Sequence, residues 1–282
     1  MAPRTPPPVA LTIAGSDPSG GAGIQADLKS FSALGAYGAS VISALTAQNT
    51  RGVTGVHTVP AEFVRLQLDS LAADLRIDAI KIGMLANADI ADVVAEFVRD
   101  FRCETVVLDP VMIATSGDRL LSDDAVAAIV RLLPLVSLIT PNLPEAAALL
   151  GVEPATTVEK MREQARALLT LGAQRVLLKG GHLGATGVDG TASASAIDIY
   201  LDADGEHTFT GAWIETANTH GTGCTLSSAI AALRPARASW ADAVRDAKIW
   251  LGGAIAAADS LQISLHPELG HGPVHHFYDA WR

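Results

Sequence analysis

Short apolar runs alternate with longer amphipathic stretches along almost the whole chain. Val9–Ala14 is an apolar run of strand length, and Ser40–Leu45, Ala79–Ile82, Thr105–Leu108, Leu135–Ile139 and Arg175–Leu178 repeat the type. Between them the spacing turns helical. Glu62–Leu75 sets Phe63, Leu66, Leu71 and Leu75 at helical intervals, and Ala88–Phe101 follows Asn87, a residue suited to an N-cap. Ile24–Leu34, Ser122–Leu133 ahead of Pro134, Pro144–Leu150 and a stretch from Thr157 to Leu171 read as further helices. This alternation predicts an α/β fold with a mostly parallel sheet covered on both faces. After Leu178 the rhythm changes. Ile197–Leu201 and His207–Thr210 flank Asp204-Gly205, a hairpin signal that predicts a short antiparallel edge. Helices over Thr225–Leu233 and Trp240–Ser260 close the pattern. No repeat or linker divides the chain, so residues 9–282 read as one domain behind a disordered proline-rich tail, residues 1–8.

In open α/β sheets, ligands bind beyond the carboxyl ends of the strands. The residues that follow the predicted strands are polar or glycine at nearly every position. They are Gly15-Ser16-Asp17-Pro18-Ser19-Gly20-Gly21-Ala22-Gly23, Gln48-Asn49-Thr50, Gly83-Met84, Asp109-Pro110-Val111, Thr140-Pro141-Asn142 with Glu145, and Lys179-Gly180-Gly181-His182. Such clustering points to a ligand. The first loop lacks the G-x-x-x-x-G-K-[ST] of a P-loop and a clean G-x-G-x-x-G, so neither nucleotide fingerprint is met there.

The anion-binding signal comes late. His220-Gly221-Thr222-Gly223-Cys224-Thr225 reads as a glycine turn running into an apolar helix. Backbone N–H groups at such a helix start cradle an anion, and the dipole there favours a thiolate at Cys224. Glycine at 223 permits close approach and positive φ. The same residues also allow an ordinary turn with a buried cysteine. Asp109 and Glu145 suit a magnesium ion, or a strand-end cap and a first-turn helix acid. Lys179 is a point charge for a phosphate, or a solvated strand end. Gln48 and Asn49 carry amides for a heterocycle edge, or for turn chemistry. Met84 reads as core, and Asp27 as a solvated helical acid. Thr115-Ser116-Gly117-Asp118 and Gly184–Ser195 read as mobile surface loops.

Composition narrows the class. With 282 residues, 49% hydrophobic, the chain fits one large α/β domain or two small ones. A net charge of −10 argues against nucleic acid as a partner, though not against a locally positive pocket. The cysteines, Cys103 and Cys224, give neither a disulfide framework nor a CxxC pair. Cys103 reads as a small apolar residue ahead of a strand. His266, His271, His275 and His276 fit no standard zinc spacing. The N-terminus lacks the apolar segment of a signal peptide, and no apolar run reaches membrane-spanning length. A cytoplasmic protein with no membrane partner is expected.

Several segments, in order, resemble the hydroxymethylpyrimidine/phosphomethylpyrimidine kinases of thiamine biosynthesis. They are Ala14–Asp27 with its glycine loop, Ala47-Gln48-Asn49-Thr50, Lys81-Ile82-Gly83-Met84, Asp109-Pro110-Val111-Met112, Thr140-Pro141-Asn142, Lys179-Gly180-Gly181-His182, Asn218–Thr225 and Gly272–Phe277. The likeness runs from about Val9 to the C-terminus. It implies a ribokinase-like three-layer αβα sandwich. It also implies ATP-dependent phosphorylation of 4-amino-5-hydroxymethyl-2-methylpyrimidine (HMP) and then of its monophosphate. By the resemblance, Cys224 is catalytic above an anion hole of Gly221, Thr222 and Gly223. Gln48 pairs with the pyrimidine edge, Asp27 meets the hydroxymethyl end, and Gly15, Met84 and Val111 line the pocket. Asp109, Asn142, Glu145 and Lys179 serve ATP, with Asp109 and Glu145 holding Mg2+ through water. A homodimer is implied as well. Most sugar kinases of this fold carry an aspartate where this chain has Cys224, so the nearest alternative is a pyridoxal or pyridoxine kinase. A non-catalytic pyrimidine sensor on the same fold is a third reading, opposed by the joint presence of Cys224, Lys179 and the glycine turn.

Overall fold

The computed structural model describes residues 6–112, 123–181 and 195–281. The predicted Thr115–Asp118 loop, Ser122, His182 and residues 184–194 lie outside them.

The apolar blocks become strands β1 (Val9–Ala14), β5 (Ala79–Ile82), β6 (Val106–Leu108), β7 (Leu138–Ile139) and β8 (Val176–Lys179). With β2 (Tyr37–Ile42), β9 (Ser195–Leu201) and β10 (Glu206–Ala212) they form one eight-stranded sheet, ordered β10-β9-β8-β7-β6-β5-β1-β2. All pairs from β2 to β8 are parallel, while β8–β9 and β9–β10 are antiparallel. The expected antiparallel edge hairpin is therefore present. The expected strand over Ser40–Leu45 is instead two elements. β2 ends at Ile42, and β3 (Ala44–Asn49) leaves the sheet to pair with β4 (Gly52–Thr58) in a separate hairpin. Gln48 and Asn49 thus lie on a strand rather than in a loop.

Alternate residues of each strand feed opposite faces, as the period of two requires. Leu11, Ile13, Ile80, Ile82, Val106 and Leu108 enter the larger core. That core lies under α2 (Ala61–Ala72), α3 (Ala88–Phe101), α4 (Asp123–Leu132), α5 (Leu143–Leu150) and α6 (Val158–Thr170). Ala10, Ala79 and Val107 enter the other, packed on α1 (Gly23–Ala33), α7 (Thr222–Leu233) and α8 (Trp240–Ala256). The three layers are those of the ribokinase-like sandwich. Asn87 caps α3 as its sequence predicts, its side chain accepting from Ile90 N at 2.9 Å.

From β1 the chain first adds β2 on one side and later β5 on the other. The loops after β1 and β5 therefore diverge at a topological switch point. α7 packs across β1, β5 and β6, bringing its first turn to that same edge.

Candidate active site

The sheet's carboxyl edge is held by a relay of backbone hydrogen bonds. Gly83 N donates to Ile13 O, Asp109 N to Ile82 O, Thr140 N to Leu108 O and Lys179 N to Pro141 O, at 2.8–2.9 Å. The relay fixes Asp109 and Lys179 side by side, although 70 residues separate them. Lys179 Nζ donates to Asp109 Oδ1 at 2.9 Å, and Thr140 Oγ1 donates to the same oxygen at 3.2 Å. Lys179 is thus an ion-paired residue and not a solvated strand end. Burial would pull its ammonium down, but Asp109 and Glu145 outweigh this and hold it raised.

Asn142 and Glu145 form a capping box on α5. Asn142 N donates to Glu145 Oε2 at 2.7 Å, and Glu145 N to Asn142 Oδ1 at 2.8 Å. The first-turn reading of Glu145 is therefore correct, but it does not exhaust the residue. Burial pushes its carboxyl up to about 7; Lys179 pulls it back and Asp109 adds to the rise. Glu145 stands electrostatically linked to the Asp109–Lys179 pair.

The first turn of α7 meets this pair. The helix starts at Thr222, so Gly223 and Cys224 lie within it. A Cβ on Gly223 would sit 3.2 Å from Lys179 Nζ and 3.5 Å from Asp109 Oδ2. Glycine at 223 keeps open the space between the helix N–H groups and the lysine. The positive φ expected at Gly223 belongs to Gly221 instead, at +77°, where the turn passes against the Gly21 carbonyl.

The expectation of a favoured thiolate at Cys224 is overturned. Burial pushes the thiol up to about 11; Lys81 opposes the rise, while Asp109 and Asp27 add to it. The helix start acts in the opposite direction, but desolvation wins.

The substrate-side residues divide. A Cβ on Gly15 would fall 2.5 Å from Met84 Cε, so these two meet across the switch point. Val111 follows them at the β6 edge, its N–H donating to Asp109 O at 2.8 Å. A bulge between Ala47 and Gln48 re-aims β3 at Gln48. The Gln48 Oε1 accepts from Thr46 Oγ1 at 3.2 Å, and Nε2 lies 3.3 Å from His220 Nε2. Asp27 is not the solvated acid its helix suggests. It is fully buried, and its carboxylate accepts from Thr12 Oγ1 (2.5 Å), Ser228 Oγ (2.6 Å) and Lys81 Nζ (2.8 and 2.9 Å). With its oxygens so engaged and no surface exposed, Asp27 does not fit direct contact with a hydroxymethyl group.

Sequence reasoning missed the pair that ties the two glycine segments together. Asp17 accepts from Ser19 N, Ser19 Oγ, Gly21 N and Ala22 N. His220 Nε2 lies 2.8 Å from its Oδ2. Burial would raise Asp17, but its hydrogen bonds to His220 and Ser19 bring it down to about 2. His220 is in turn fixed by its N–H to Gly272 O, so the C-terminal segment braces the site. His276, buried close by, lies 3.0 Å from Thr225 Oγ1 on α7.

A glycine-bearing helix start beside the Lys179–Asp109 pair, at the carboxyl edge of this three-layer sheet, is the arrangement of an ATP-using kinase of the ribokinase-like class. The comparisons narrow this. The sequence model of the phosphomethylpyrimidine kinase family matches residues 17–275, and the chain belongs to that family. It is 58% identical over 275 residues to the hydroxymethylpyrimidine/phosphomethylpyrimidine kinase of Escherichia coli (strain K12), covering 96% of this chain and 98% of that one. The fold matches a Bacillus subtilis pyridoxal kinase solved with ADP, at TM-score 0.85 and 33% identity over 98% of this chain and 99% of that one. It also matches the Clostridium difficile phosphomethylpyrimidine kinase, at TM-score 0.76 and 39% identity over 88% of this chain and 99% of that one.

Proposed function

We propose that this chain transfers the γ-phosphoryl group of ATP to the hydroxymethyl oxygen of HMP, and then a second one to the resulting monophosphate. The observation that carries the reading is the convergence of Lys179, Asp109 and the Gly223 N–H end of α7 on one small space. The pyridoxal kinases share the fold, and one overlays more closely than the phosphomethylpyrimidine kinase does. Overlay measures the frame, whereas 58% identity over nearly the full length of both chains is a likeness of sequence, so identity weighs more for substrate choice.

Each residue has a role in this reading. Gln48 presents its amide to the pyrimidine edge, with Gly15, Met84 and Val111 around the ring. Lys179 and the N–H groups of Gly221, Thr222 and Gly223 hold the transferred phosphoryl group, stabilising charge as it develops. Asn142 shapes the nucleotide side through its cap. Asp109 and Glu145 are oxygen donors whose mutual repulsion a divalent cation relieves. Asp109 and Glu145 would hold Mg2+, a hard cation suited to carboxylate oxygens. When bound, Mg2+ neutralises phosphate charge. The hydroxymethyl oxygen bonds to Pγ as the bond to the ADP oxygen breaks, and its proton passes to Cys224. With the thiol held up to about 11, the neutral form predominates at pH 7. A homodimer in the cytoplasm completes the reading.

Initial rates of ADP release with HMP, HMP phosphate, pyridoxal or no acceptor test it. Turnover on both pyrimidines well above that on pyridoxal is expected. Faster turnover on pyridoxal would reassign the chain, and no acceptor-dependent release would leave a binding protein.

A further inference from the structure

Beneath the α7 turn lies a charge pair to which the phosphoryl transfer above gives no task. Lys81 in β5 and Asp27 in α1 are both fully buried and joined at 2.8 Å. Two buried charges stabilise a fold no better than well-packed apolar residues of the same size, so packing alone does not account for them. Thr12 and Lys81 are register partners on β1 and β5, and both turn toward α1 and α7. Ser228, which donates to Asp27, stands one helical turn beyond Cys224. Positions four apart share a helix face, and side chains lean toward the helix start. Cys224 therefore projects on the side of α7 that rests on the pair. A Cβ on Gly83 would fall 2.9 Å from Lys81 Nζ, which places the ammonium at the level of the pocket loops.

We propose that Lys81 is a positioning residue for the transfer step: its ammonium, held by Asp27, is the fixed positive charge that steadies negative charge on Cys224 Sγ. The charged groups acting on Cys224 come from several elements. Lys81 on β5 favours the thiolate, whereas Asp109 after β6 and Asp27 on α1 oppose it. Lys179 on β8 also senses Cys224, but its charge is engaged by Asp109 and Glu145. Burial would discharge Lys81, yet Asp27 foremost keeps it raised, so it stays an ammonium across the working pH range.

The test is alkylation of the ligand-free protein by iodoacetamide at pH 8, with Cys224 followed by peptide mass and Cys103 as internal reference. Lys81→Gln should slow Cys224 alkylation about tenfold, one pKa unit. A purely structural pair predicts the opposite sign, because the variant loosens the fold and exposes the thiol. Lys81→Gln leaves Asp27 unpaired, so the double variant Lys81→Gln/Asp27→Asn, with similar volume and no net change in charge, supplies a second arm. It too should be slower than the parent. A Lys81→Gln or double variant alkylated as fast as the parent overturns the proposal. The kinetic arm rests on the kinase reading. In the double variant kcat should fall while KM for HMP holds within about threefold. Slower alkylation with unchanged kcat would remove Cys224 from the reaction and leave its electrostatic tie to Lys81 standing.

Discussion

Cys224 shows how a local rule and its surroundings can disagree. The helix start favours a thiolate, yet burial beside Asp109 and Asp27 pushes the thiol up to about 11. If the thiolate is the base, kcat should rise about tenfold per pH unit between pH 7 and 9. Cys224→Ala should flatten that profile, with kcat about 10²–10⁴-fold lower and folding intact. A parent profile already flat over this range would take the proton away from Cys224. Gln48 makes the companion prediction. Gln48→Leu leaves ring nitrogens without partners at ~1–3 kcal/mol each, so KM for HMP should rise while KM for ATP holds. The reverse pattern would place Gln48 on the nucleotide side.

At the scale of elements, some features were legible in the sequence and others were not. β1, β5 and α3 have the bounds their residues predict, because uniform apolar runs and a cap residue mark them. The β3–β4 hairpin gave no such signal. Its strands are largely exposed, so no apolar alternation is required of them, and Arg51-Gly52 is not a strong turn pair. Lys81 did carry a signal, a charge inside the apolar run Ala79–Ile82, but its partner lies 54 residues away. The α5 capping box was half visible: Glu145 could be read as a first-turn acid, but its approach to Lys179 could not. That box yields a stability prediction. Glu145 rises from 4.5 to about 7 on folding, so its contribution is fully present below pH 4.5 and lost as pH rises through 7. Glu145→Gln can keep the box and removes the charge. Without Mg2+, its stability relative to the parent should improve by roughly 2 kcal/mol between pH 5 and 8, read by urea unfolding. A difference that is constant with pH would show the carboxyl to be unperturbed.

For the whole molecule, topology joins what the sequence keeps apart. Asp109, Lys179 and Gly223 converge because β6 and β8 flank β7 and α7 crosses the sheet. In the proposed reading the phosphate site is built at a late helix start, while the early glycine loop is tied to it through Asp17 and His220. Gly223→Val tests this division most directly. The added side chain enters the space beside Lys179 and Asp109, far more a transition-state site than a pyrimidine site. Calorimetry should show HMP bound within about threefold of the parent, and a single-turnover assay with ATP should show transfer slowed at least about 10²-fold. An active Gly223→Val would contradict the account and move the phosphoryl site elsewhere, most directly to the Gly15–Gly23 loop.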